Sequence, residues 1–117
     1  MRHNYEHLEV YQRSMKLASQ ILSVVDDIRP YRLGEQIAAS SVSVPSNIAE
    51  GAERGTNKEF ARFLSFSSGS TAELITQLKL LQLSNKAKGE DVEAWILEAK
   101  EINSMIRGLM LTLEKKG

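Results

Sequence analysis

A chain of 117 residues with 42% hydrophobic side chains is long enough for one domain with its own core and too apolar to remain disordered. Fifteen basic and fifteen acidic side chains cancel, which excludes a global field drawing the molecule onto phosphate backbones, so nucleic-acid contact needs a local patch or its repetition in an oligomer. No cysteine is present, which excludes a disulfide framework, a thiolate metal site and a cysteine nucleophile and suits a reducing cytoplasm.

From Met1 to Val10 there is no apolar segment of the kind that leads an exported chain, and no apolar run reaches the roughly 18 residues of a membrane span. The expectation is a soluble, unexported, cytoplasmic protein with no membrane partner. Tyr5, Leu8, Tyr11, Met15, Ala18, Leu22, Val25 and Ile28 recur at steps of three and four, which predicts a first helix ending near Ile28 with these residues on its buried face. Pro30 lacks an amide hydrogen and pushes Arg29 out of helical geometry, so residues 29–34 read as a connection. A second helix is expected from Leu33 to Glu35 onward, burying Ile37, Ser41, Val44 and Ile48 and kinked at Pro45, which removes one backbone hydrogen bond.

Gly51 or Gly55 can take the left-handed conformation that closes a helix, and Thr56 with Glu59 three residues later forms a capping box that opens a third helix. That helix carries Phe60, Phe63, Leu64, Leu74, Leu78 and Leu81 and fades between Ser84 and Gly89, with the glycine as its stop. The fourth has Val92, Trp95, Ile96, Ala99, Ile102, Ile106, Leu109, Met110 and Leu113 in alternating three- and four-residue steps, the seam of a bundle helix. Connections this short force neighbouring helices to run antiparallel. The fold class is therefore all-α, an antiparallel up-down-up-down four-helix bundle filling residues 1–117 as a single domain.

Folding the central hairpin about Gly55 and Thr56 places Ser41 opposite Ser70 and Ser43 opposite Ser68. Ala38, Ala39, Ser40, Ser41 and Ser43 then face Ser65, Ser67, Ser68, Gly69 and Ser70, so the two backbones approach closely and the hydroxyls bond to carbonyls. The carbonyl of Ser41, freed by Pro45, is a candidate acceptor. As a nucleophile site the cluster lacks a base, since no histidine or lysine lies near it in sequence. His3 and His7 are spaced to share a helical face, but no third ligand accompanies them and neither follows a glutamate at the spacing of a di-iron bundle. Trp95 and the leucine stripe read as core. No metal, cofactor or catalytic residue is assigned, and the chain reads as a non-enzyme.

The charged set at the hairpin is more informative. Glu50, Glu53, Arg54, Lys58, Glu59 and Arg62 cluster there, with Glu50 and Arg54 four apart and Lys58 and Arg62 four apart, giving either a network at the hairpin tip or an outward basic edge. Lys86 and Lys88 form a second basic group, and Lys115 and Lys116 a third. None is dense enough alone to specify nucleic-acid binding.

VSVPSNIAEG from Val42 to Gly51, which holds Pro45, Asn47, Glu50 and Gly51, precedes RGTNKEFARFL from Arg54 to Leu64, which holds Glu59; GSTAEL, TQL to Leu78 and EINSMIRGLM from Glu101 to Met110 follow. With the opening EHLEVYQRSMKLA, these blocks resemble the four-helix bundle family of 23S rRNA intervening-sequence proteins over essentially the whole chain. The resemblance implies a left-handed bundle, a ring-like homo-oligomer of five subunits, and no enzymatic activity. A related group, the accessory variability determinants of diversity-generating retroelements, uses a basic ring of this kind to bind a reverse transcriptase and nucleic acid. Where the family commonly has two arginines after the glutamine-isoleucine pair, this chain has Ala38 and Ala39, and it has Ser65 where a basic residue is frequent. The resemblance therefore carries nucleic-acid binding over only through Arg54, Lys58 and Arg62.

Two functions follow as expectations. In the first the chain is an adapter for RNA or DNA whose ring repeats Arg54, Lys58 and Arg62, giving multivalent, salt-sensitive phosphate affinity. In the second it is an oligomeric scaffold that binds a partner protein between subunits, and binding survives moderate salt.

Overall fold

The computed structural model describes residues 3–84 and 89–116. In chain order these form α1 (Glu9–Leu22), a single 3-10 turn (Val25–Asp27), α2 (Tyr31–Glu53), α3 (Asn57–Leu83) and α4 (Gly89–Lys116), with no strand among the described residues. The 27 residues of α3 at about 1.5 Å each span most of the molecule's 45 Å length, and the cross-section is 21 × 20 Å.

The first helix is shorter than its periodicity predicts and turned by about one residue. It stops at Leu22, Val24 leaves helical geometry, and Val25–Asp27 form a separate turn. The stripe read from Tyr5 to Ile28 runs across that break. Val10, Ser14, Leu17, Ala18 and Ile21 are the buried residues of α1, while Met15 and Leu22 are exposed. A serine within the true stripe hides it from a purely apolar count. Ser14 is accommodated because its hydroxyl donates to the Tyr11 carbonyl at 2.9 Å.

Pro30 opens α2 at its N-cap, where its carbonyl accepts from the amides of Leu33 and Gly34. The helix thus begins at Tyr31, earlier than read, because a proline at this boundary costs no hydrogen bond that the helix needs. Pro45 is buried inside α2, which continues across it to Glu53. Ile37, Ser41, Val44 and Ile48 are buried, as the spacing predicts.

Between α2 and α3, the two glycines do different work. Gly55 takes the left-handed backbone (φ 91°) that turns the chain. Gly51 lies buried within α2, where a Cβ would sit 2.6 Å from the Cβ of Phe63 and 3.1 Å from Phe60. Its missing side chain is what lets the helices touch. Thr56 caps α3 by accepting from the Glu59 amide at 3.1 Å.

Close approach continues along the hairpin through small residues. Ser67 donates to the Val44 carbonyl at 2.8 Å, Ser43 and Ser70 share a hydrogen bond of 2.8 Å, and Asn47 donates to the carbonyl and hydroxyl of Ser43. The centre of the fold is where the sequence places it, but the partners differ. Ser70 meets Ser43 instead of Ser41, and Ser68 turns to Asn103 of α4 at 2.7 Å. The Val44 carbonyl, not that of Ser41, receives the hydroxyl from α3. Helix rotation decides these pairings: Ser67 and Ser70 lie on the α2 side of α3, Ser68 is one step round toward α4, and Ser65 and Gly69 are exposed.

α3 ends at Leu83 with Ser84 as its C-cap; Gly89, read as a stop, is instead the first residue of α4, and the connection at 85–88 lies outside the described residues. Phe60, Leu64, Leu74, Leu78 and Leu81 of α3 meet Val92, Ile96, Ala99, Ile102, Ile106 and Leu113 of α4 in one core with Ile37 and Ile48. Neighbours pack as α1 with α2, α2 with α3, α3 with α4, and α4 with α1. Among the described residues no Cα of α1 comes within 8 Å of α3, nor of α2 within 8 Å of α4. The helices therefore stand at the corners of a square, with the α1–α2 side opposite the α3–α4 side.

Candidate functional site

Arg54, Lys58 and Arg62 all sit at the α2–α3 hairpin end, but on different surfaces. Arg54 is the C-cap of α2, paired with Glu50 at 3.4 Å, and its guanidinium lies 4.7 Å from the Phe63 ring centroid. Arg62, paired with Glu59 at 3.5 Å, reaches over Phe63 and Phe66 at 5.5 and 5.2 Å. The two rings contact edge to face at 5.3 Å, with Phe66 exposed. Arg54 and Arg62 are thus gathered round Phe63. Lys58 instead lines a groove between α3 and α4 with Arg62, Met110, Leu113 and Glu114.

The carboxylates of this cluster lie on the same helices as the arginines, one turn away. Such exposed pairs are weak, about 0.3–0.5 kcal/mol each, and a stronger anion can compete for the guanidinium groups. The edge is a mixed cationic and aromatic surface, chemically suited to macromolecular contact. The other motif residues have structural positions: Pro45 and Gly51 are buried in α2, Asn47 ties down Ser43, Glu50 pairs with Arg54, and the Glu59 amide is capped by Thr56.

Other sequence candidates separate cleanly. His3 stacks on Phe60 at 4.8 Å, and its amide donates to the Ala52 carbonyl, whereas His7 is exposed. Both precede α1, so they do not share a helical face. Among the described residues no three histidine, aspartate or glutamate side chains gather as a metal-binding group. Ser41, Ser67 and Thr71 are buried with their hydroxyls donating to backbone carbonyls. Lys86 and Lys88 lie outside the described residues, and Lys115 and Lys116 occupy the exposed last turn of α4.

Sequence reasoning missed the strongest ionic feature. Arg13 on α1 donates from Nε to Glu98 at 2.9 Å and reaches Glu101 at 3.3 Å and Glu9 at 3.8 Å, clamping α1 to α4. The hydrogen bond from Arg13 holds the Glu98 carboxyl below the usual glutamate range against the opposing effect of burial, and the same bond raises the Arg13 guanidinium. The available signal was Glu98 and Glu101 three apart on α4, with an arginine on the flank of α1. Nothing in the linear order connects them across 85 positions.

No helix among the described residues is long and apolar enough to cross a membrane. No curated protein matches the chain. A crystal structure of a protein with unknown function from the S23 ribosomal protein family of Bacteroides thetaiotaomicron VPI-5482 is similar in fold, with a TM-score of 0.80 at 22% identity, covering 86% of this chain and 97% of that one. The family model for the 23S rRNA-intervening sequence protein matches residues 6–108. With α1, α2, α3, the hairpin and most of α4 inside that match, the chain belongs to the 23S rRNA-intervening sequence protein family.

Proposed function

We propose that the protein is a non-enzymatic oligomeric scaffold. Its unit is one domain over residues 1–117, repeated as the ring-like homopentamer that family resemblance implies, and it receives a partner protein between subunits in the cytoplasm. One observation carries this reading. Met15, Leu22, Tyr31 and Val42, large apolar side chains on α1 and α2, are 47%, 45%, 61% and 42% exposed. Scattered exposed leucines need no explanation, but several grouped on one face mark an association surface.

An up-down-up-down, left-handed arrangement with α2 bent at Pro45 is part of the same reading. The reversed order of contacts along α2 and α3, Gly51 near Phe60 and Ser43 near Ser70, supports the antiparallel hairpin. Catalysis is not assigned because the buried hydroxyls of Ser41, Ser67 and Thr71 donate to backbone carbonyls.

Sedimentation velocity of the purified chain tests the scaffold reading. A species at a multiple of 13.1 kDa supports it, and a lone monomer at micromolar concentration overturns it.

A nucleic-acid adapter is the second reading, favoured by the guanidinium groups of Arg54 and Arg62 gathered on Phe63 with Lys58 one turn before Arg62. Repetition round a ring would multiply a weak site. Its test is titration with structured RNA at two salt concentrations, comparing the wild type with Arg54→Ala/Lys58→Ala/Arg62→Ala. Affinity that falls steeply with salt and with the triple change supports the adapter. Absence of binding at low salt, or indifference to the triple change, overturns it.

A further inference from the structure

We infer that the exposed apolar ridge on the α1–α2 side of one copy seats in the trough on the α3–α4 side of the next, an interface between unlike faces. This rests on the self-association proposed above and adds which surfaces meet.

The ridge is located by what lies on the other flanks of its helices. Arg13 on α1 reaches α4, so Tyr11, Met15, Ala18 and Leu22, on the opposite flank, face the α2 side. Ser43 and Asn47 on α2 lie toward α3, so Ala38, Val42, Pro45 and Ala49 face the α1 side. Met15 and Val42 thereby share one surface, with Leu22 and Tyr31 nearer its end. Met15, Leu22 and Val42 remain 42–47% exposed within the subunit, while the Arg29 guanidinium lies 3.9 Å from the ring centroid of Tyr31.

The trough runs between α3 and α4 in two adjoining stretches of about 460 and 530 Å³ that share Ser65, Met110 and Glu114. Beyond Asn57, Lys58 and Arg62 at one end, its α3 wall is built of side chains no larger than serine: Ala61, Ser65, Ser68, Gly69 and Ala72. Beside it stands Leu111, 59% exposed. A Cβ added at Gly69 would meet nothing within 4 Å. A glycine in a helix interior costs about 1 kcal/mol relative to alanine, and this position does not need it for the subunit's own packing. Close approach of another body supplies the reason.

Size points to a second copy as that body. Lys58, Arg62 and Arg107 rim the trough against Glu114, while Glu35 stands on the exposed side of α2 between Tyr31 and Val42. A side 45 Å long and about 20 Å wide offers roughly 900 Å², comparable with about 800 Å² per partner in a stable interface. Because the α1–α2 and α3–α4 sides are opposite, each added copy leaves one ridge and one trough open. Growth of this kind stops only when the ends meet in a closed ring.

The chain has no cysteine, so thiol cross-linking reads the contact against a clean background. Val42→Cys chains carrying one tag are mixed with Ser65→Cys or Leu111→Cys chains carrying another, allowed to exchange, and treated with a short bismaleimide. The expected result is a mixed-tag product from at least one pairing, none from any single variant alone, and loss of the mixed product when Met15→Glu is added to the Val42→Cys chain. A Val42-to-Val42 product, or no product from variants that still sediment as oligomers, overturns the pairing of faces while self-association stands. Monomeric wild-type protein would instead overturn self-association itself.

Discussion

Gly51→Ala isolates the contact on which the α2–α3 hairpin rests. A methyl group there would lie 2.6 Å from the Cβ of Phe63, 3.1 Å from Cδ1 of Phe60 and 3.2 Å from the Phe60 carbonyl oxygen. Comfortable carbon contacts begin near 3.5 Å, so the helices must separate by roughly 1 Å at this level. The Phe63 atom is a Cβ fixed to its backbone and cannot swing aside. Helix propensity pulls the other way, since alanine in a helix interior is favoured over glycine by about 1 kcal/mol. Overpacking a close-packed site costs about 1–3 kcal/mol, and here a backbone-fixed contact with no escape places it at the upper end. The net expectation is destabilisation by about 1–2 kcal/mol, or a fall in Tm of roughly 3–8 °C for a domain of this size. Gly69→Ala is the control, because a Cβ there meets nothing within 4 Å, and it should stabilise by about 0.5–1 kcal/mol. Urea unfolding followed by circular dichroism, at a concentration where the chain is monomeric, gives both values. If Gly51→Ala raises the midpoint as much as Gly69→Ala does, the close-approach argument is refuted.

Further expectations concern the clamp, the cap and the serine seam. Glu98 has its carboxyl lowered by Arg13, so its contribution to stability is fully present above the ordinary glutamate value of 4.5 and is lost as pH falls from there through the lowered folded value. Glu98→Gln should therefore flatten the acid side of the urea-midpoint profile, and parallel profiles for wild type and variant would contradict the clamp. Thr56→Ala should cost about 1 kcal/mol, read by urea unfolding, by removing the acceptor for the Glu59 amide. Ser67→Ala should lose about 1 kcal/mol with the bond to Val44. Ser67→Val should lose more, because the added volume enters the tight α2–α3 contact. Equal midpoints for the two serine variants would mean that the helices are not closely apposed there.

Much of the candidate site was legible because its determinants are local. Thr56 and Glu59 announce a helix start, Gly55 a turn, and Glu50 with Arg54 a pair one turn apart, all within a few residues of one another. What could not be read is which way the hairpin end turns its side chains. Arg54, Lys58 and Arg62 are evenly spaced in sequence, yet the turn between Arg54 and Lys58 reverses the chain, so Arg54 meets Arg62 over Phe63 while Lys58 faces the α4 groove. The role of Phe63 and Phe66 as the rings on which the arginines rest was likewise hidden. Phe63 at helical spacing looks like core, and Phe66 only becomes conspicuous once it is seen to be exposed.

By itself the sequence determined four helical segments, the hairpin centre and most of the core of α2, α3 and α4, because helical period, proline and capping act over at most a few turns of chain. Tertiary structure alone decided the phase of α1, where Met15 and Leu22 of the apolar stripe face outward, Ala18 stays buried and Ser14 is core. It also decided the Arg13 clamp and the serine pairings. These depend on helix rotation about its own axis, and a helix with two apolar flanks has two rotations of similar local merit. Packing against α2 and α4 selects between them, since only one puts Leu17 and Ile21 into the core shared with Ile37, Ile48 and Ile106.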